Sequence, residues 1–580
     1  MRKHLYLFIF ILFLLSFVET KAQDATPSPT PAAERKAENL QNVPPVATEF
    51  QSDDKTLPDL GLVGVDMMRQ KPLSSKEAIV MALESNKDIE VSRQNVRIAE
   101  FDLEAARGYY EPRFTAQTYY ERATIPNTSI FSSNKTTTNG SFIGNTGLTG
   151  YVPRFGTVLI GNFNNQRVSS NNPISILSPQ YNSNLSFSLT QPIFRGRTFD
   201  QPRRVIEIAK RNLSLTDAQF RQRSIDIITN VQRAYWDLVY ALRNLQVQRD
   251  GVRDAKDQLE HNKRLVDEGQ LAPIDIVAAE TQVAIIEQSV YEALEIVNRA
   301  ENVLKNLISP NRSDEIWNES IVPTDPVDLD APRTTLTEAL DLALENRPEI
   351  ELNDVQKDIN AIDQKYYREQ TKPQIDLTAS YNSAGIGGSQ NPNFLNPLTR
   401  SVCLDPMSQA CIDAMQQQQE FLRSIGGAGT TFTDIFANKY PTFRVGLTFN
   451  LPLFGDKTAR ANLGKSLVQR DQIKTQREQI EQNIQVDVRN ALQAVRTSEA
   501  RLRSASIARE NSVKQYESEQ RKLDSGQSDV YKVLERQTAL MNAKSAELRA
   551  QTELNKAIAD LQRATGNSLK ANDVEARLRK

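Results

Sequence analysis

The sequence predicts a mainly α-helical fold with a membrane β component, in which long antiparallel coiled-coil helices and a few amphipathic strands form one unit that is used twice. Three observations predict it. A block of residues recurs at an offset near 260, apolar heptads run through a long stretch almost free of helix breakers, and apolar/polar alternation leads into that stretch in both copies.

Taken in order, Arg2, Lys3 and His4 precede an apolar run from Leu5 to Leu15, and Thr20-Lys21-Ala22 supplies a small-x-small site. Residues 1–22 therefore read as a cleaved signal peptide. The run is shorter than the roughly 20 residues a membrane helix needs. Residues 23–72 hold Pro27, Pro29, Pro31, Pro44, Pro45 and Pro58 without an apolar period, which reads as a flexible arm.

The repeat rests on four anchors in one order. Glu77 to Asn86 (EAIVMALESN) returns as Glu338 to Arg347 (EALDLALENR), and Pro112 returns as Pro373. Gln191-Pro192-Ile193-Phe194 returns as Leu451-Pro452-Leu453-Phe454, and Arg264 to Gln270 (RLVDEGQ) as Arg521 to Gln527 (RKLDSGQ). The units are 73–320 and 334–570, joined by a Pro/Asp-rich connector at 321–333 and followed by a tail at 571–580.

Residues 74–110 have helical spacing, with Ser74 or Ser75 as N-cap. After Pro112 the period becomes two, with Phe114, Ala116, Thr118 and Tyr120 on one side. The outgoing strand sets Leu185, Phe187 and Leu189 against Ser186, Ser188 and Thr190, and its copy sets Phe443, Val445, Leu447, Phe449 and Leu451 against Arg444, Gly446, Thr448 and Asn450. From Pro202 to Asp267 helix can persist for about 100 Å at 1.5 Å per residue. Val231, Leu238, Leu245, Val252, Leu259 and Val266 form its heptad seam, with Ala234, Ala241 and Ala255 three residues on. The copy reads Val488, Val495, Leu502, Arg509, Tyr516 and Leu523, with Arg509 the polar exception. Gly269 and Gly526 end these helices, and a helix over 273–308 returns.

Composition removes other readings. With two His and two Cys in 580 residues, multi-histidine metal sites, Cys-rich zinc sites and Ser-His-Asp or Cys-His catalysis lack residues, so no catalytic, cofactor or metal site is expected. A net charge of −2 gives no nucleic-acid-binding surface. The mean hydropathy of −0.50 carries no polytopic helical membrane signal.

In lipid every backbone polar group must be paired, which only helices and closed barrels achieve. About four strands per chain are too few to close a barrel, since small ones need about eight. The barrel must therefore be shared among subunits.

The duplicated order of elements, the strand exits at Pro192-Ile193-Phe194 and Leu451-Pro452-Leu453-Phe454, and the turns at Gly269 and Gly526 followed by Asp275-Ile276-Val277-Ala278-Ala279 and Lys532-Val533-Leu534-Glu535 resemble the TolC family of outer-membrane efflux proteins. The resemblance covers about residues 73–570. It implies a homotrimer with a shared 12-stranded barrel in the outer-membrane lipid and a 12-helix periplasmic tunnel, docked on a periplasmic adaptor and an inner-membrane pump of RND or ABC type. It implies a passive, porin-like exit duct for efflux or type I secretion, the cargo being a drug, metal, small molecule or protein. The alternative is a periplasmic coiled-coil adaptor or structural protein without a barrel.

The resemblance also gives candidate sites. Pro112, Pro192, Pro373 and Pro452 fall at the barrel–tunnel junction. Gly269, Asp275, Gly526, Asp529, Lys532 and Glu535 fall at the periplasmic tip as gate candidates, each becoming a ring under three-fold symmetry. Lys532 and Glu535 stand where members often have two acidic residues, and Leu523 and Ser528 replace the aromatic and arginine gate partners. Alternating sequence within 142–167, around Pro153-Arg154-Phe155-Gly156, is an extra hairpin that either enlarges the barrel or decorates an outer loop. Cys403 and Cys411 in the second loop face an oxidising exterior and suit a disulfide, two free thiols being the alternative.

Overall fold

The computed structural model describes residues 61–126, 135–327, 329–394, 403, 407–452 and 456–574. The signal peptide, the arm up to residue 60, Asp328 of the connector, the strand-exit residues Leu453 and Phe454, and the end of the tail lie outside the described residues.

The first unit runs β1 (Asp66–Leu73), α1 (Ser75–Ser85), α2 (Lys87–Arg107), β2 (Arg113–Pro126), β3 (Thr136–Val152), β4 (Thr157–Ser170), β5 (Leu177–Pro192), α3 (Gln201–Asp267) and α4 (Pro273–Ile308). After β6 (Glu319–Pro323) the second unit runs α5 (Leu336–Asn346), α6 (Pro348–Gln370), β7 (Gln374–Gln390), α7 (Gln409–Ile425), α8 (Thr430–Phe436), β8 (Tyr440–Asn450), α9 (Lys457–Asp524) and α10 (Val530–Ala564).

Both units open on the same reciprocal cap. Ser74 Oγ accepts from the Glu77 amide at 3.2 Å and Glu77 Oε2 accepts from the Ser74 amide at 2.9 Å; Thr335 and Glu338 do the same at 3.3 and 3.0 Å. The helix expected over 74–110 is broken at Asn86, whose ψ of 131° is extended and whose side chain caps α2 by accepting from the Asp88 amide at 2.9 Å. Arg347, with ψ 126°, makes the equivalent break before Pro348.

Helices α3 and α9 have 67 and 68 residues, about 100 Å each, and α4 and α10 return beside them over 36 and 35. The first half of the heptad seam is buried. Val231, Ala234, Leu238, Ala241 and Leu245 share a core with Val297, Leu304 and Ile308. In the copy, Val488 and Val495 pack with Leu554, Ala557 and Leu561. The polar exception is paired across its hairpin, Arg509 Nε lying 2.6 Å from Glu547 Oε2.

One correction concerns the arm. Residues 66–72, read as part of it, lie in β1, which pairs in parallel with β6 (Lys71 opposite Ile321, Leu73 opposite Pro323), so the start of the connector is strand as well. The partners are about 250 residues apart in sequence, and neither has an apolar period of its own. Their ladder is locked to the middle of α3 by buried Tyr235, whose hydroxyl donates to the Leu73 carbonyl at 3.3 Å and accepts from the Asp325 amide at 3.0 Å.

A second correction concerns the strand count. Among the described residues the larger sheet has six strands, in the order β2-β3-β4-β5-β7-β8, all antiparallel, where about four were expected. The 142–167 segment lies within this sheet as β3 and β4. Gly140, Gly144, Gly147 and Gly150 thin out the apolar pattern of β3, so its alternation is weaker than that of β5 and β8. Among the described residues no helix is long and apolar enough to cross a membrane.

Candidate functional site

Register assembles the separate strand patterns into two faces. Phe114 lies opposite Leu148, Leu159 opposite Leu189, Phe187 opposite Tyr381, Tyr381 opposite Phe443, Leu377 opposite Leu447 and Ile375 opposite Phe449, all on one side. On this face Phe114 is 70% exposed and Phe443 74%, so in a single subunit the apolar belt meets nothing. The opposite face is polar. One row across it reads Gln117, Asn145, Asn164 and Asn184, and another Asn162, Ser186, Asn382 and Thr442. An apolar face and a polar face on alternate residues are what lipid outside and water inside a barrel demand.

Beyond the belt, at the end of the sheet away from the long helices, α7 and α8 fold over the apolar side. Ser183 and Thr431 join their hydroxyls at 3.2 Å, the Ser383 hydroxyl donates to the Ile435 carbonyl at 2.8 Å, and Phe432 stacks on Phe163 at 6.0 Å between centroids. A Cβ on Gly385 would sit 2.0 Å from the Thr431 carbonyl oxygen, so only glycine admits the helix there. The Sγ atoms of Cys403 and Cys411 are bonded at the start of α7. Sequence reading missed both loop helices.

At the other end, Pro112 and Pro373 stand immediately before β2 and β7, Pro192 closes β5, and Pro452 follows β8. All four lie where strands meet helices. Asp200 and Asp456 cap α3 and α9, accepting from the amides of Arg203 at 3.0 Å and Ala459 at 2.9 Å. Two arginines stitch the units together here. Arg195 Nε donates to the Lys372 carbonyl at 2.9 Å, and Arg204 Nε lies 2.6 Å from Asp363 Oδ1 with its guanidinium against the Tyr366 ring. Neither stood out in sequence, because their partners come from the other unit.

Some 100 Å away, both long helices end in one motif. Gly269 (φ 75°) donates to Val266 O and Gln270 to Leu265 O; Gly526 (φ 71°) donates to Leu523 O and Gln527 to Lys522 O. This left-handed closure satisfies the last carbonyls and reverses the chain. The two turns meet: Leu271 packs on Leu523, Val530, Val533 and Leu534, and His261 Nε2 lies 3.1 Å from Asp524 Oδ1. Asp275 Oδ2 accepts from the Ala272 amide at 3.1 Å and so starts α4. Asp529 caps α10 through the Lys532 amide at 2.9 Å, and its carboxylate also lies 2.9 Å from Lys532 Nζ. Those bonds hold the Asp529 carboxyl below its ordinary range and the Lys532 ammonium above its own. Glu535 is exposed one turn on.

The sequence model of the outer membrane efflux protein family matches residues 148–309 and 339–567, more than half of the chain and one stretch in each unit. The chain belongs to the outer membrane efflux protein family. No curated protein matches the sequence. Among solved structures, this efflux protein is similar to the CmeC outer membrane channel of Campylobacter jejuni, with 17% identity over 85% of this chain and 86% of that one and a TM-score of 0.57. It is similar to the open-state MtrE outer membrane channel of Neisseria gonorrhoeae, with 17% identity over 91% and 98% and a TM-score of 0.54. It is also similar to the outer membrane protein VceC of Vibrio cholerae, with 13% identity over 85% and 96% and a TM-score of 0.56. At these identities the likeness is one of fold. Family and fold together make the protein an outer membrane efflux protein with the fold of these channels, the internal duplication written through both strands and helices.

Proposed function

We propose that three copies of this efflux protein close one conduit, with the sheets as a barrel in the outer membrane and the long helices as a periplasmic tunnel, and that cargo passes through it without bond chemistry. The observation that carries the reading is the one-sided sheet, whose edges β2 and β8 have no partner among the described residues. An open sheet with unpaired edges is not viable in lipid, whereas neighbouring copies close it. Exposed apolar residues on the helices, such as Phe101 of α2 and Ile285, Ile296 and Val303 of α4, suit contacts between copies. In this arrangement the paired turns at Gly269 and Gly526 form the end that meets a periplasmic adaptor and an inner-membrane pump of RND or ABC type. Asp275, Asp529, Lys532 and Glu535 then line the closing ring. A periplasmic adaptor needs one helical hairpin and no lipid-facing sheet, so the alternative lacks support from the fold. Fractionated membranes and an unboiled gel test the reading. Trimers in the outer membrane are expected, and a soluble monomer would overturn it.

A further inference from the structure

Strands β2, β5, β7 and β8 each run directly into or out of a helix, but β3 and β4 do not. They form a hairpin inserted between β2 and β5, and its turn, Pro153-Arg154-Phe155-Gly156, lies at the helical end of the sheet. Such a hairpin either belongs to the barrel wall or hangs outside it. Three features place it in the wall.

Its pairing is continuous on both sides. Arg113 lies opposite Thr149 and Pro126 opposite Thr136 on one flank, and Val158 opposite Thr190 and Val168 opposite Gln180 on the other. Its two faces also continue those of the neighbouring strands, with Leu148 and Leu159 in the apolar belt and Asn145, Asn162 and Asn164 on the polar side.

Its turn is built into the junction. Gln191 Nε2 donates to the Phe155 carbonyl at 3.0 Å, and the Tyr151 ring packs at 5.0 Å on Tyr109, just past the end of α2. Gly156 (φ 68°) comes so close to the loop before α3 that a Cβ would lie 2.8 Å from the Gly196 carbonyl oxygen. The turn thus fills the extra rim that two strands without helices of their own create.

Six strands also close correctly. Edge strands β2 and β8 run in opposite directions, so β8 of one copy can pair antiparallel with β2 of the next all the way round.

Resting on the trimer reading above, the geometry points to a barrel of eighteen strands rather than twelve, with a wide, charge-balanced bore that admits bulky solutes with little discrimination by charge. At about 4.8 Å between strands and a tilt of about 40°, eighteen strands give roughly 36 Å between opposite backbones, against roughly 24 Å for twelve. The bore is thus about 1.5 times wider. Among the described residues, the charged side chains on the polar face of the strands are Arg113, Glu121, Asp376 and Arg444, two of each sign, set among amides and hydroxyls.

Electron microscopy of the purified trimer in lipid nanodiscs decides it by strand count in cross-section. Eighteen strands are expected. A trimer with twelve, the hairpin lying outside the wall, overturns the inference and leaves the channel reading intact. Absence of any trimer overturns that reading, and the inference with it. A second measurement uses neutral polyethylene glycols added from the outer side of a planar bilayer. The largest polymer that enters the wild-type barrel should exceed, by about 1.5-fold in diameter, the largest that enters a variant with residues 136–170 excised. Equal cut-offs in two trimeric channels would overturn the inference.

Discussion

Lys305 Nζ lies 2.9 Å from Glu301 Oε1 near the end of α4, with both side chains withdrawn from solvent. Each partner also binds backbone of the segment that follows. Glu301 Oε1 accepts from the Ile321 amide at 3.0 Å, and Lys305 donates to the Trp317 carbonyl at 3.2 Å. The pair therefore does for β6 what Tyr235 does for β1, fixing an irregular backbone to the long helices. Taking two charges out of water costs several kcal/mol per ion, and the extra hydrogen bonds offset that cost.

Replacing one partner exposes the dependence. Lys305→Met leaves the Glu301 carboxylate buried without its counter-ion and should destabilise the protein by about 3–5 kcal/mol. The readout is a lower urea midpoint, with earlier proteolytic cleavage between residues 309 and 335. The paired change Glu301→Leu with Lys305→Met should recover much of the loss, short of the acceptor that the Ile321 amide loses. A single variant as stable as the wild type would show that the pair holds nothing.

Tyr235 gives a prediction with a pH signature. Tyr235→Phe leaves the Asp325 amide without its acceptor, while the Leu73 carbonyl keeps the Thr324 amide at 3.1 Å, at a cost of about 1–3 kcal/mol in thermal or urea unfolding. Burial pushes the phenol from 10.0 up to about 12. A raised folded value means that its contribution is fully present below pH 10 and is lost as pH rises through 12. Wild type and Tyr235→Phe should therefore converge in stability over that window, and a gap that stays constant to the top of it would contradict the assignment.

What the sequence disclosed and what it hid follow from the range of the interactions. The heptads of Val231 and Val488, the cap at Ser74, and the turns at Gly269 and Gly526 are local, and each carries its own period or punctuation. The alternation of Phe443 to Phe449 is equally local, and it exposed the apolar side before any register was known. By contrast, β1 is a strand only because β6 lies beside it, and Arg204 matters only because Asp363 is opposite. The hairpin β3–β4 showed alternation, but periodicity does not say which neighbour a strand pairs with, so its membership of the wall had to come from register.

Gly385 tests how the outer loop is held. A side chain there meets the Thr431 backbone rather than a flexible tip, so Gly385→Val must displace α8 from the sheet. The ladder between β7 and its neighbours needs no glycine at this position, and the sheet should survive. The expected result is a trimer unchanged on an unboiled gel, whose loop between residues 426 and 439 becomes cleavable by protease added outside cells. A loop as resistant as in the wild type would mean that α8 is not docked on this face.

The tip offers a test by charge. Asp529 and Lys532 neutralise each other locally, and Lys532 also faces Glu519. Lys532→Glu changes each subunit by two charges and sets two carboxylates one helical turn apart, where like charges repel. The cap through the Asp529 carboxylate to the backbone amide survives, because it needs no lysine side chain. Without the ammonium the Asp529 carboxyl rises back toward its ordinary value. In the wild type its lowered value means that the cap is intact above the ordinary Asp range and is lost only as pH falls through the folded value, so the variant should lose it at a higher pH. If Asp529 and Lys532 line the closing ring, the variant in a planar bilayer should shift its reversal potential toward cation selectivity near neutral pH. That shift should fade on acidification as the carboxylates protonate. An unchanged reversal potential at both pH values would place these residues outside the conduction path and leave Asp529 with the capping role alone.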